Sequence, residues 1–171
     1  SNILNVTFNG IEFNNGDVTT GDLVKIGNVA NGKLASNIIF RNCMFRGISN
    51  YANPSTGTIG LNLSTFKQID NINILLVENC EFRNNLMGIG VGANGVDTLA
   101  NVVIDTPKYI TIRNSTFKSN IIGIVPTQNN SFLIEENSFS VLSSTVQSHI
   151  AFTALSAVGV SGNTIPTVGY E

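Results

Sequence analysis

An all-β solenoid of about six rungs, each with three short strands, is the fold class that this 171-residue sequence predicts, and three observations carry it. A six-residue phrase returns six times: FNGIEF (8–13), FRNCMF (40–45), VENCEF (77–82), IRNSTF (112–117), IEENSF (134–139) and VSGNTI (160–165). Its closing residues Phe13, Phe45, Phe82, Phe117, Phe139 and Ile165 stand 32, 37, 35, 22 and 26 residues apart. A repeat of about 20 to 50 residues marks a stacked array, and unequal gaps suit loops of variable length between fixed rungs. The third observation is a further apolar run after each of the first five phrases: LVKIG (23–27), IGLNL (59–63), MGIGV (87–91), IGIVP (122–126) and HIAF (149–152).

Each element follows from its residues. Apolar residues alternate before and after the middle of the phrase, as in Ile110, Ile112, Ser115 and Phe117, so period-2 burial gives one strand on each side of a short turn. Enrichment in Val, Ile, Phe and Thr favours strand over helix. The turn holds Asn42, Asn79 and Asn114, with Gly10 and Gly162 in the end rungs; these residues enter the left-handed region at least cost. Stacked Asn side chains there are expected to bond from rung to rung. In the fifth phrase Glu136 takes the turn and Asn137 follows, which breaks the regularity. In the third strand Val24, Leu61, Ile89 and Ile150 are read as inward, leaving Lys25, Asn62, Gly90 and Ala151 outward. Two longer stretches, 46–58 and 92–109, read as loops leaving the stack, where binding determinants usually sit.

Composition excludes several classes. Charged residues are 12% of the chain and the formal net charge is −2, which provides no strong field for nucleic acid or an anionic membrane. No apolar run of about 18 residues could span a bilayer. The size suits one domain over 1–171. A repeat phrase begins by residue 8, and the chain is expected to be a fragment of a longer one, because solenoids need caps. Two cysteines without clustered histidines make no zinc site, and neither metal nor cofactor is expected. His149, alone at the head of a strand, reads as structural. Asp17, Asp22, Asp97 and Asp105 read as loop residues serving turns or solvation.

Residues at one place in successive phrases form rows along the stack. Asn9, Arg41, Glu78, Arg113, Glu135 and Ser161 alternate in charge and are expected to steady the register. The row two places earlier is Thr7, Ile39, Leu76, Thr111, Leu133 and Gly159; its outward Ile39, Leu76 and Leu133 are candidate subunit-interface residues, with a homotrimer as the expected assembly. Inward after the turn come Ile11, Cys43, Cys80, Ser115, Asn137 and Asn163. Cys43 and Cys80 read as free buried thiols filling space, because parallel side chains do not meet at disulfide torsions. Outward on the second strand, Arg46, Arg83 and Lys118 follow the closing Phe. With Glu81 two places before Arg83, they form the candidate glycan-binding surface, since guanidinium groups hold anionic oxygens bidentately. No pair of carboxylates suited to glycoside hydrolysis can be located, so no catalytic residue is assigned.

These phrases and their Asn-bearing turns, over nearly all of residues 2–165, resemble the right-handed parallel β-helix superfamily, the pectate-lyase-like solenoids that include phage tailspikes and tail fibres. The resemblance implies a right-handed single-stranded parallel β-helix. It further implies the body of a tailspike-like receptor-binding protein: a homotrimer on the virion tail, extracellular, that engages a bacterial surface polysaccharide. Two alternatives stand beside it, since fold does not imply function. One is a fragment of a secreted or cell-surface bacterial polysaccharide lyase or glycoside hydrolase; the other is a purely structural spacer.

Overall fold

In the computed structural model the chain winds through sixteen strands, and the structure describes residues 3–14, 20–27, 35–48, 57–65, 74–90, 108–125, 130–140, 148–150 and 157–163. The first rung holds β1 (Ile3–Asn9), β2 (Glu12–Asn14) and β3 (Gly21–Gly27). The second holds β4 (Ala35–Arg41), β5 (Met44–Arg46) and β6 (Thr58–Thr65). β7 (Ile74–Glu78), β8 (Glu81–Arg83) and β9 (Met87–Gly90) make the third, followed by β10 (Lys108–Arg113), β11 (Thr116–Lys118) and β12 (Ile122–Ile124). The fifth contains β13 (Asn130–Glu135), β14 (Ser138–Ser140) and β15 (Ser148–Ile150), and β16 (Ala157–Ser161) opens a sixth. Strands stack only with their counterparts in neighbouring rungs, giving a six-stranded sheet β1-β4-β7-β10-β13-β16 and two five-stranded sheets, β2-β5-β8-β11-β14 and β3-β6-β9-β12-β15. All pairings are parallel. The architecture is a parallel β-helix, and among the described residues no helix is long and apolar enough to cross a membrane. Residues 164–171, with the closing Ile165, lie outside the described residues, as do 49–56 and 91–107, which hold most of the two stretches expected as loops, and Asp17, Asp97, Asp105 and Ala151.

The turn between first and second sheets works as its residues require. Asn42, Asn79 and Asn114 have φ of 51°, 54° and 49°, and Gly10 and Gly162 take the same left-handed conformation. Glu136 adopts φ 54° in the fifth rung, so the turn is kept there at the expense of a strained residue. The rung-to-rung bonding expected among the stacked turn residues is not seen among the described residues: no hydrogen bond joins the side chains of Asn42, Asn79 and Asn114, and Asn42 Nδ2 instead donates to Asn9 Oδ1 in the neighbouring row, at 2.8 Å. A longer ladder lies one place on, at the inward position. Asn163 Nδ2 donates to Ile134 O, and Asn137 Nδ2 donates to Ile112 O and to Asn163 Oδ1, each within 2.9–3.0 Å. Ser115 N donates to Asn137 Oδ1, and Ser115 Oγ returns a bond to Arg113 O.

Cys43 and Cys80 occupy this same row as free, buried thiols. They are more than fillers, because each Sγ lies 3.2–3.5 Å from two carbonyl oxygens: Arg41 and Phe8 for Cys43, Glu78 and Phe40 for Cys80. The thiols thus close the same strand ends that Asn and Ser close higher in the stack. The row's first member, Ile11, departs from expectation: it is 40% exposed. No described rung lies beyond it to cover it.

The core is a column of phenylalanines. Phe13, Phe45, Phe82, Phe117 and Phe139 stack at centroid distances of 4.4–5.0 Å. Parallel in-register pairing forces like residues above one another at about 4.8 Å, the spacing of stacked rings. Space for these rings comes from glycines in the third sheet. A Cβ on Gly60 would stand 2.9 Å from Phe82 Cδ1, and one on Gly88 would stand 2.8 Å from Phe117 Cδ1. Gly60 and Gly88 thus leave room for the rings, while Leu61 and Ile89 are fully buried in the same hydrophobic core and Val24 packs against it, in keeping with their inward reading; the side chain of Ile150 lies outside the described residues.

Candidate functional site

The outer face of the second sheet gathers the candidate glycan-binding residues. Register sets Glu12, Met44, Glu81, Thr116 and Ser138 in one column and Asn14, Arg46, Arg83, Lys118 and Ser140 in the next. Between the columns the phenylalanines turn inward, so both columns present side chains outward. Arg46, Arg83, Lys118 and Glu81 are brought together on consecutive rungs, as their phrase positions require.

Their electrostatics differ from a free cationic strip. Arg46 Nη2 pairs with Glu12 Oε1, Lys118 Nζ lies 2.9 Å from Glu81 Oε2, and Arg83 Nη1 lies 3.4 Å from Glu81 Oε1. Oε1 is buried and, at that distance and angle, receives no hydrogen bond in the described structure. The cations remain 42–48% exposed while Glu81 is 23% exposed. Three cations and two carboxylates leave one net positive charge, and each guanidinium keeps N–H groups directed to solvent. The face can donate and accept hydrogen bonds at fixed intervals, and it is weakly cationic rather than strongly so.

The outer face of the first sheet carries the other two rows. Thr7, Ile39, Leu76, Thr111, Leu133 and Gly159 stand in register, as do Asn9, Arg41, Glu78, Arg113, Glu135 and Ser161. Ile39 and Leu76 are half-buried, and Leu133 is 40% exposed. Glu78 sits between two arginines: Arg41 Nε donates to Oε2 at 2.7 Å and Arg113 Nε to Oε1 at 2.8 Å. These hydrogen bonds, Arg41 foremost and Arg113 next, hold the Glu78 carboxyl below the usual carboxylate range. A carboxylate so held stays ionised and makes a poor general acid.

The third sheet is largely apolar and closed to solvent. Ile59, Leu61, Met87, Ile89 and Ile124 are all buried, and Asn62, read as outward from sequence, is buried too, with Nδ2 donating to Asp22 Oδ1 at 2.8 Å. Of the other positions read as outward, Gly90 is buried and Lys25 is exposed. His149 lies in β15, but its side chain is outside the described residues. Sequence reasoning also missed a second polar ladder at the corner between second and third sheets. Asn85 Nδ2 donates to Phe45 O, Arg83 O and Asn120 Oδ1, Asn120 Nδ2 donates to Phe82 O, and Thr58 Oγ1 donates to Asn85 Oδ1. Its signal was available as NNL (84–86) and SNI (119–121), whose middle residues Asn85 and Asn120 each stand three residues after a closing Phe.

Among the described residues no group of three or more His, Cys, Asp or Glu could hold a metal ion. Comparison with protein-family models, with curated proteins and with solved structures returned no match.

Proposed function

We propose that this chain is the β-helical body of a tailspike-like receptor-binding protein, which engages a bacterial surface polysaccharide along the outer face of its second sheet. The observation that supports the reading is the two-column polar face itself. Its ten outward positions are in register and only Met44 among them is apolar. Rungs repeat at about 4.8 Å, so the face offers donors and acceptors at intervals suited to a polymer of sugar units lying along the stack. Arg46, Arg83 and Lys118 outnumber Glu12 and Glu81, which favours an acidic glycan whose carboxylate or phosphate oxygens replace the Glu partners on the guanidiniums.

In this reading the coil is right-handed, by the strong preference of parallel crossovers for that hand. The row Ile39, Leu76 and Leu133 forms the subunit contact, and the protein acts outside the cell on a virion tail. Purified chain is tested against immobilised capsular and lipopolysaccharide preparations by biolayer interferometry. Binding to an acidic glycan, weakened about ten-fold or more by Arg83→Glu, is the expected result. Absence of binding to every glycan favours a structural spacer. Release of reducing ends by the chain alone favours the alternative of a polysaccharide lyase or hydrolase fragment.

A further inference from the structure

The order of charges on the first sheet is complementary to its own reverse. From β1 to β16 the row reads Asn9, Arg41, Glu78, Arg113, Glu135 and Ser161: neutral, positive, negative, positive, negative, neutral. A two-fold axis between two such sheets, parallel to the strands and level with the gap between β7 and β10, reverses the rung order but keeps each column facing itself. It sets Arg41 against the partner copy's position 135 and Glu78 against its position 113. All four charges then face the opposite sign, and the neutral ends face each other. The neighbouring column obeys the same operation, with Ile39 set against position 133 and Leu76 against position 111. Association in parallel about a shared axis, which a trimer needs, levels each rung with its own copies and sets Arg41 beside Arg41 wherever this row faces the axis.

Two further observations favour a partner here. Leu133 is the most exposed of the three apolar side chains. Glu135, beside it on the same strand, has no ion-pair partner among the described residues, while Arg41 and Arg113 share the single Glu78. The row is thus a cationic triad followed by an uncompensated carboxylate, and reversal brings that carboxylate to the triad's Arg41. Six strands span about 24 Å and five residues about 17 Å, so the sheet presents roughly 400 Å² against the ~800 Å² per partner of a stable complex.

We infer that the first sheet is a self-complementary surface for a second copy of this chain, joined antiparallel about a two-fold axis as a weak, salt-sensitive dimer. The inference rests on the proposed subunit contact at Ile39, Leu76 and Leu133 and is separate from glycan binding, which belongs to the second sheet. The experiment combines sedimentation equilibrium of the full chain with bismaleimide cross-linking of Ile39→Cys and Leu133→Cys proteins; the native thiols are buried and leave the engineered ones as the reactive sites. A reversible monomer–dimer equilibrium is expected, with covalent dimer formed when the two cysteine variants are mixed and little when either is alone. Arg41→Glu and Glu135→Lys should each weaken the dimer about ten-fold, and an equimolar mixture of the two should restore it. A trimer, a monomer at all concentrations, or cross-linking of Leu133→Cys to itself overturns the inference. The cysteine variants decide the matter if circular dichroism shows that a charge variant is misfolded. Loss of the dimer with glycan binding intact sinks this inference alone.

Discussion

At Gly88 a single hydrogen atom decides whether the third rung closes. A Cβ there would stand 2.6 Å from the carbonyl oxygen of Gly123 and 2.8 Å from Phe117, and neither backbone nor stacked ring can yield. Gly88→Ala should therefore lower stability by about 1–3 kcal/mol, seen as a reduced urea midpoint with an unchanged slope. The left-handed Asn79 gives the complementary case. Asn79→Ala should cost about 1–2 kcal/mol and Asn79→Gly almost nothing, because only the former pays for a Cβ at φ 54°. Cys80 shows burial acting on chemistry: desolvation pushes its thiol up to about 12. Native protein should leave Cys80 unmodified by a thiol reagent at pH 8, and urea-unfolded protein should react at once. Rapid modification of the native form would place that thiol at the surface.

Stacked elements turn such local preferences into ladders. Phe82 is held between Phe45 and Phe117 at 4.4 and 5.0 Å, so Phe82→Ala removes contacts in both directions and should cost about 3–5 kcal/mol. Along the first sheet, Glu78 bridges β4 and β10. Because its folded carboxyl binds a proton more weakly than the unfolded one, its stabilising effect is complete above the ordinary value of 4.5 and is lost as pH falls through the lower folded value. Stability measured by denaturant titration should thus decline below pH 4.5, and Glu78→Gln should flatten that decline. An equally steep decline in the variant would assign the acid sensitivity to other carboxylates.

For the whole molecule, parallel stacking confines large side chains to three faces with different characters. The third is apolar and largely closed, the second polar, and the first carries a partly exposed apolar row beside alternating charge. The proposed glycan and self-association surfaces are the second and first faces, which keep side chains exposed. Each face also has its own test, glycan binding for the second and self-association for the first, so one can fail without the other.

The phrase and its spacing determined the rungs, the turn residues, the charge row and the ring column, because in a parallel stack each depends only on what recurs at a fixed place. Asn42, Asn79, Asn114 and Glu136 were legible as turn residues, since φ is a local property. Arg46, Arg83, Lys118 and Glu81 were likewise legible as neighbours. What sequence could not show was that each of those cations would already hold a carboxylate, or that Gly60 and Gly88 would be the positions that leave room for the rings. Only the tertiary structure decided these, because whether a position has room for a side chain depends on the volume that other sheets have already filled, and a charge is free or paired only once side chains from neighbouring rungs compete for it.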